Sequence, residues 1–489
     1  MPLPRRSRVV SFLFIAILAY IGVLVKRKFM SPPRVIVVGG GLAGLSAAHT
    51  VLQNGASVLL LDKMKSLGGN SVKASSGING AGTPAQAAKS IVDSVDDFIK
   101  DTTASAGSLA RPNLISALAS NSASSLEWLG QLGIDLSQVT RLGGHTIPRT
   151  HRGNGGPPGW AITSALFKKL DTEEKATVVK SATVTKLLEA DGKVVGVEYA
   201  VDGSVQRAEG PVILATGGYA ADFSSSGFLS QYRPELLSVP TTNGGHATGD
   251  GLKLSVALST PAALVDMDQI QVHPTGFVDP SDTSSQTKFL AAEALRGVGG
   301  ILLNGTGERF VNEVERRDFV TARMQEVIAA GHGPVRLVLN KDAADELAAH
   351  IGFYVSKGLM QRVEGIKELA SVTGLDESTL SKTFEAHLRY ANKEEADPFG
   401  KVYFSNPKFD SNGQFLVATM TPVVHYTMGG LSVDELARVL HADGTPISGL
   451  YAGGEVIGGV HGQNRLGGSS LLEAVVFGRL AGHAAVEGK

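Results

Sequence analysis

Cysteine is absent from all 489 positions, which removes disulfides, thiolate-bound iron–sulfur clusters, thioether-linked haem and a thiol nucleophile together. Redox chemistry in this chain therefore needs a bound organic cofactor. A surplus of either charge is missing too: 45 Lys and Arg stand against 46 Asp and Glu, so no global field favours nucleic acid as a partner. No acidic residue precedes Asp62. Proline is sparse at 20, whereas glycine reaches 59, well above the usual ~7%, with no Gly-X-Y period and no internal repeat. Such a glycine load suits a backbone that must approach a phosphate-bearing ligand at several places. With 43% hydrophobic residues the chain can bury large cores, and its length predicts two or more domains.

The N-terminus reads as a separate object. Val9–Val25 is a run of 17 residues without charge or proline, bracketed by Arg5, Arg6 and Arg8 and by Lys26, Arg27 and Lys28. That length is the lower edge for spanning a bilayer, and no small-residue cleavage site follows, so the expectation is an uncleaved membrane anchor over residues 1–33. The basic, acid-poor start leaves mitochondrion and endoplasmic reticulum both open, and near-equal positive flanks leave the orientation open. Initiation at Met30 predicts a second, soluble form.

Arg34–Val38 (RVIVV) has the β-branched character of a buried parallel strand. It runs into Gly39-Gly40-Gly41-Leu42-Ala43-Gly44, a G-x-G-x-x-G turn, then a helix ending at Asn54-Gly55, then the strand SVLLLD closing on Asp62. A first helical turn presents free N–H groups and a positive dipole end to a pyrophosphate, and an acid after the second strand can accept from a ribose. This unit predicts a dinucleotide site. Further on, ATVV, TVTKLLEA, VVGVEYA and SVQRA, separated by turn signals such as Asp191-Gly192 and Asp202-Gly203, read as an antiparallel meander. Two more glycine clusters follow buried strands, at Thr216-Gly217-Gly218 and within LYAGGEVIGG, before a helix starting near Ser469. Three separated backbone-approach sites suit a ligand longer than NAD, and FAD is the economical reading. KEEAD (Lys393–Asp397) reads as a solvated face and ASNSASS (Ala119–Ser125) as a polar helix side.

From Arg34 onward the chain resembles the soluble fungal fumarate reductases and, more distantly, the flavoprotein subunits of fumarate reductase and succinate dehydrogenase and L-aspartate oxidase. The stretches that carry the likeness are VVGGGLAG, LGGNSVKASSGING, LGGHTIPRTHR, TTNGGHATGDG, QVHPTGF, AAEALRG, RRD, HYTMGG and HGQNRLGGSSLLEA. The fold implied is α/β: a glutathione-reductase-like Rossmann-type FAD domain (residues 34–273 and 422–489) with an inserted α+β capping domain (274–421). The cofactor positions implied are Gly39, Gly41, Leu42, Ala43, Gly44, Asp62 and Lys63; Gly69, Asn70, Ser71, Ser75, Ser76 and Gly77; Thr216, Gly217, Gly218 and Asp250; and Glu455, Ser470 and Leu471. Asn70 stands where the membrane enzymes attach FAD through histidine, which implies non-covalent FAD.

The resemblance further implies reduction of fumarate to succinate, with His273, His425 and Arg465 gripping the two carboxylates. Arg317, the second arginine of VERRDFV, matches the proton donor, and Arg316 stands where other members vary. Glu293 and Arg296, three apart and so on one face of a helical turn, match the relay that reprotonates it. Ala292 replaces a hydroxyl donor of bacterial relatives. With no haem domain, cluster or second nucleotide motif, a diffusible reduced flavin is the expected electron donor, and the implied role is to reoxidise reduced flavin or NADH pools without oxygen. A monomer is expected. Two other readings stay open: a related FAD enzyme acting on another enoate or an amino acid, and a membrane-tethered flavin carrier or oxidative-folding accessory without turnover of its own.

Overall fold

The computed structural model describes residues 34–489. The expected anchor at Val9–Val25 lies outside the described residues, among which no helix is long and apolar enough to cross a membrane. The architecture is a mixed α/β fold built on two main sheets. In the first, strands run in the order Arg438–Leu440, Pro446–Ala452, Val212–Leu214, Arg34–Val38, Ser57–Asp62, Ala176–Lys180. All pairings are parallel except that of the edge strand Arg438–Leu440. Parallel strands need cover on both faces, and Val35, Ile36 and Val37 are fully buried. Part of that cover is the helix Leu42–Gln53, buried from Leu42 through Val51. Against it lies the helix Ser469–Glu487 at close range: Cβ atoms at Gly478 and Gly482 would stand 2.5 Å from the Ala43 carbonyl and 2.9 Å from that of Ala47.

The meander contains three strands, Thr183–Ala190, Lys193–Val201 and Ser204–Glu209. Ala176–Lys180 is not among them. It pairs in parallel with Ser57–Asp62, Val58 facing Ala176, and the chain leaves that sheet at Ser181, where φ is +54°. A local pattern cannot reveal a partner strand more than a hundred residues away, so in sequence the segment looks like one more strand of the meander.

The second sheet is organised by one long strand, Gln414–Thr427. Its first part pairs with Val335–Asn340 and Gln361–Glu364, and its last part with Ile270–Phe277. Two further hydrophobic clusters surround this sheet, and their buried members lie between Ile301 and Val417 in one and between Phe277 and Met420, with Leu142, in the other. Register shifts after Gln271 and after His273 break the ladder beside Pro274, which supplies no backbone N–H. Two expectations hold only in part: Lys393–Ala396 of KEEAD and Ser120 and Ser124 of ASNSASS are exposed, but their neighbours turn inward. Asp397 of KEEAD is buried on Arg309 at 2.5 Å, because Glu313, itself fully buried on Arg309 and Lys401, draws charge into this part of the core. Ser122 and Ser125 are likewise fully buried, and the Ser122 hydroxyl accepts from the Ala81 amide at 3.2 Å.

Candidate active site

A cavity of about 560 Å³ runs between the two sheets. At one end lies the Gly39–Ala43 turn. Gly41 caps the helix Leu42–Gln53 with no side-chain cap, so first-turn N–H groups stay available for an anion; that of Leu42 meets the Ser71 hydroxyl at 3.3 Å. Gly44 does not line the cavity. A Cβ there would sit 1.8 Å from the Gly39 carbonyl oxygen, so its bareness sets the shape of the turn. Gly218 also stands behind the wall, where a Cβ would be 2.0 Å from Thr427 Oγ1. The other expected cofactor positions, Gly39 through Ala43 and on to Leu471, all line the cavity.

The polar wall is already ordered. Asp62 accepts from the Gly40 amide at 2.6 Å and the Met64 amide at 2.7 Å, one on each oxygen, which leaves lone pairs free on both. Lys63 donates to Asp250 at 2.6 Å. The Asn70 amide donates to Asn243 Oδ1 at 2.6 Å and accepts from the Gly244 N–H at 3.0 Å. Ser75 Oγ and His246 Nε2 line the cavity, buried and without partners among the described residues. Glu455 accepts from the Thr427 amide at 3.0 Å, and burial raises its carboxyl to about 7. A glycine-shaped phosphate cradle, partnerless buried polar atoms and a long, mostly apolar wall fit a dinucleotide with a ring system. Among the described residues no cluster of His, Cys, Asp or Glu is placed to hold a metal.

The expected substrate residues converge at the far end. Arg317, His425 and Arg465 line the cavity, and His273 packs behind with its ring 5.2 Å from that of His425. The Thr275 amide donates to His273 Nδ1 at 3.1 Å, so Nε2 carries the ring proton, and that N–H has no partner among the described residues. Burial, then Arg317, push both histidines well below their ordinary value; both are neutral donors at pH 7. Arg465 is 1% exposed and faces no carboxylate at contact distance, its Nε without a partner. Burial lowers it to about 10, still fully charged at neutral pH. Two neutral imidazoles and one unpaired guanidinium can receive a dianion.

Arg317 opens the helix Arg317–Ala329 and is 5% exposed. Its Nε donates to Glu293 Oε2 at 2.6 Å, whereas Arg316 lies outside, paired with Asp318 at 2.9 Å. Burial alone would raise the Glu293 carboxyl; Arg317 and Arg296 outweigh it and hold it at about 2. Arg296 follows Glu293 within a single turn, Ala294–Gly297. It is 1% exposed, and its guanidinium turns to the Glu313 carbonyl rather than to Glu293.

Gln271 is the functional residue that sequence reasoning missed. Its Oε1 accepts from Arg317 Nη1 at 2.8 Å and from Arg465 Nη2 at 3.0 Å, while Nε2 donates to the Arg465 carbonyl at 2.7 Å. One neutral amide thus spaces two guanidiniums. The signal was a lone amide between Ile270 and Val272 in a buried strand, where a polar group must find partners.

Comparison with known proteins identifies the family. An FAD binding domain family model matches residues 34–471. The chain is 48% identical over 463 residues to a fumarate reductase of Schizosaccharomyces pombe, covering 92% of this chain and 88% of that protein. Fumarate reductase 1 of Saccharomyces cerevisiae is 43% identical over 469 residues, with 92% and 98% covered. Among solved structures, the open conformation of a flavocytochrome c3 fumarate reductase superposes with a TM-score of 0.73 at 30% identity, over 96% of this chain and 81% of that one.

Proposed function

This chain belongs to the FAD-dependent fumarate reductase family, and from that premise we propose that it grips fumarate through His273, His425 and Arg465 and protonates it from Arg317. It is an FAD-dependent oxidoreductase that reduces fumarate to succinate. When bound, FAD supplies the hydride that adds to one alkene carbon. The neutral imidazoles donate to one carboxylate and Arg465 pairs with the other, drawing electron density from the double bond. Arg317 gives a proton to the second carbon, so one hydride and one proton add and no charge stays on carbon. A free guanidinium holds its proton tightly; transfer concerted with hydride addition leaves Arg317 neutral only briefly, because Glu293, which keeps the side chain aimed while ionised, takes up a proton by way of Arg296 and passes it to Arg317.

The observation that carries this reading is the position of Arg317: buried, lining the cavity beside His425 and Arg465, and held on separate nitrogens by Glu293 and Gln271. The engaged Asn70 amide, which offers no nucleophile, supports non-covalent FAD. The separate hydrophobic clusters around the second sheet support a cap over residues 274–421 that excludes water when seated. The proposal extends to a monomer, to a diffusible reduced flavin as donor, and to a tether at Val9–Val25 in mitochondrion or endoplasmic reticulum beside a soluble form from Met30. Turnover of fumarate against L-aspartate and other enoates by the FAD-loaded protein tests the substrate. Succinate formed from fumarate alone supports it; preferential oxidation of L-aspartate overturns it.

A further inference from the structure

Arg141–Thr146 (RLGGHT) belongs to the FAD part of the chain yet reaches into the other core. Leu142 is buried among Phe277, Leu295 and Val320. The Arg141 guanidinium stands 3.5 Å over the Tyr403 ring, and its Nε donates to the His145 carbonyl at 2.6 Å, closing the turn. The other end of this strap is fixed. Thr146 donates from its amide at 2.9 Å to Asp101, which also accepts from Arg149 at 2.5 Å. Arg149 lies 3.2 Å from His145 Nδ1. A guanidinium cannot accept, so Nδ1 is the acceptor and His145 Nε2 donates to the Gly467 carbonyl at 3.0 Å.

Between these anchors the Gly143 N–H donates to Glu293 Oε1 at 2.8 Å, on the oxygen opposite the one that Arg317 holds. A Cβ at Gly143 would stand 2.7 Å from the Glu315 carbonyl oxygen and 2.9 Å from Glu293 Oε1. At Gly467 it would stand 2.7 Å from Glu293 Oε2 and 3.2 Å from Arg317 Nη2. Two loops thus leave out side chains where this one carboxylate sits.

We propose that the Arg141–Thr146 strap is a positioning element for proton delivery, its Gly143 amide fixing the Glu293 carboxylate so that it faces Arg317. This rests on the reading of Arg317 as proton donor. A carboxylate anchored on one oxygen by a rigid backbone N–H cannot rotate away from a partner on the other. The strap is held at one end by Asp101 and Arg149 and packs Leu142 at the other beside Ala292, Ala294 and Leu295 of the turn that carries Glu293, which couples proton delivery to that packing. The charged and titratable groups facing Glu293 are Arg317 from its helix, Arg296 from the same turn and His145 from the strap. Burial and Arg149 lower His145 to about 4, so it stays neutral through the working range.

The test is Gly143→Ala in the FAD-loaded enzyme, with FAD content and thermal midpoint confirming the fold. A misplacement near 1 Å predicts a fall in kcat on the order of a hundredfold, an unchanged KM for fumarate, and an acid limb of the kcat profile moved to higher pH. In a Glu293→Gln background the same change adds no further loss. Arg141→Met, which releases Tyr403 without adding volume, gives a smaller effect in the same direction and decides the matter should Gly143→Ala not retain FAD. Equal losses in both backgrounds, or an unmoved acid limb, overturn the strap and leave Arg317 untouched. Near-normal turnover of Glu293→Gln alone overturns the relay reading instead.

Discussion

Glu293 Oε2 accepts from Arg317 Nε at 2.6 Å, with both side chains buried. The pair joins a single turn after the Ile270–Phe277 strand to the first residue of a helix, and it separates two arginines adjacent in sequence. Arg316 faces solvent and an exposed acid; Arg317 faces the cavity. The buried guanidinium thus has an ionised carboxylate directly behind it.

Arg317→Ala is expected to bind FAD normally and to lose steady-state fumarate reduction on the order of 10³-fold, the scale of a positioned general acid. Arg316→Ala is expected to turn over close to wild type. Anaerobic assays of the two variants side by side check both, and a comparable loss in each contradicts the assignment.

Gln271→Leu removes the acceptor shared by Arg317 and Arg465 while keeping similar volume. Leaving buried donors without a partner costs about 1–3 kcal/mol, so kcat/KM is expected to fall roughly tenfold to a hundredfold. A variant with unaltered kcat/KM shows that the two guanidiniums need no spacer.

Glu455 gives a signed pH effect. Its carboxyl is raised to about 7 in the folded protein from an ordinary value near 4.5, so its contribution to stability is fully present below 4.5 and is lost as pH rises through 7. Glu455→Gln, permanently neutral, is expected to gain about 2–3 kcal/mol relative to wild type between pH 5 and pH 8. Thermal midpoints of the FAD-loaded proteins across that range read this directly, and parallel curves contradict it.

Gly44→Ala places a methyl 1.8 Å from the Gly39 carbonyl. The turn has to open, and the protein is expected to purify without its flavin absorbance while keeping its circular dichroism. Full FAD occupancy in this variant removes the turn from the cofactor site.

Much of the fold was legible because its signals are local. The strand, turn, helix and strand from Arg34 to Asp62 need no distant partner to be recognised. Ala176–Lys180 was misplaced because its identity depends on pairing with Ser57–Asp62, and Asp397 looked solvated because nothing nearby in sequence announces Arg309. At the site, the charged residues that the resemblance implies stand in recognisable motifs, whereas the neutral groups that touch them carry no such signal. Gln271 and the Gly143 amide carry no charge, and their importance lies in which two groups they touch.

Proton delivery from Arg317 to a substrate held by His273, His425 and Arg465 is the step on which the mechanism turns. Its most direct test is anaerobic reduction of the purified flavoprotein followed by rapid mixing with fumarate while the flavin spectrum is recorded. Prompt reoxidation of the wild-type flavin is expected, with one succinate formed per flavin, together with a flavin that stays reduced in Arg317→Ala. Reoxidation of the Arg317→Ala flavin by fumarate at the wild-type rate contradicts it.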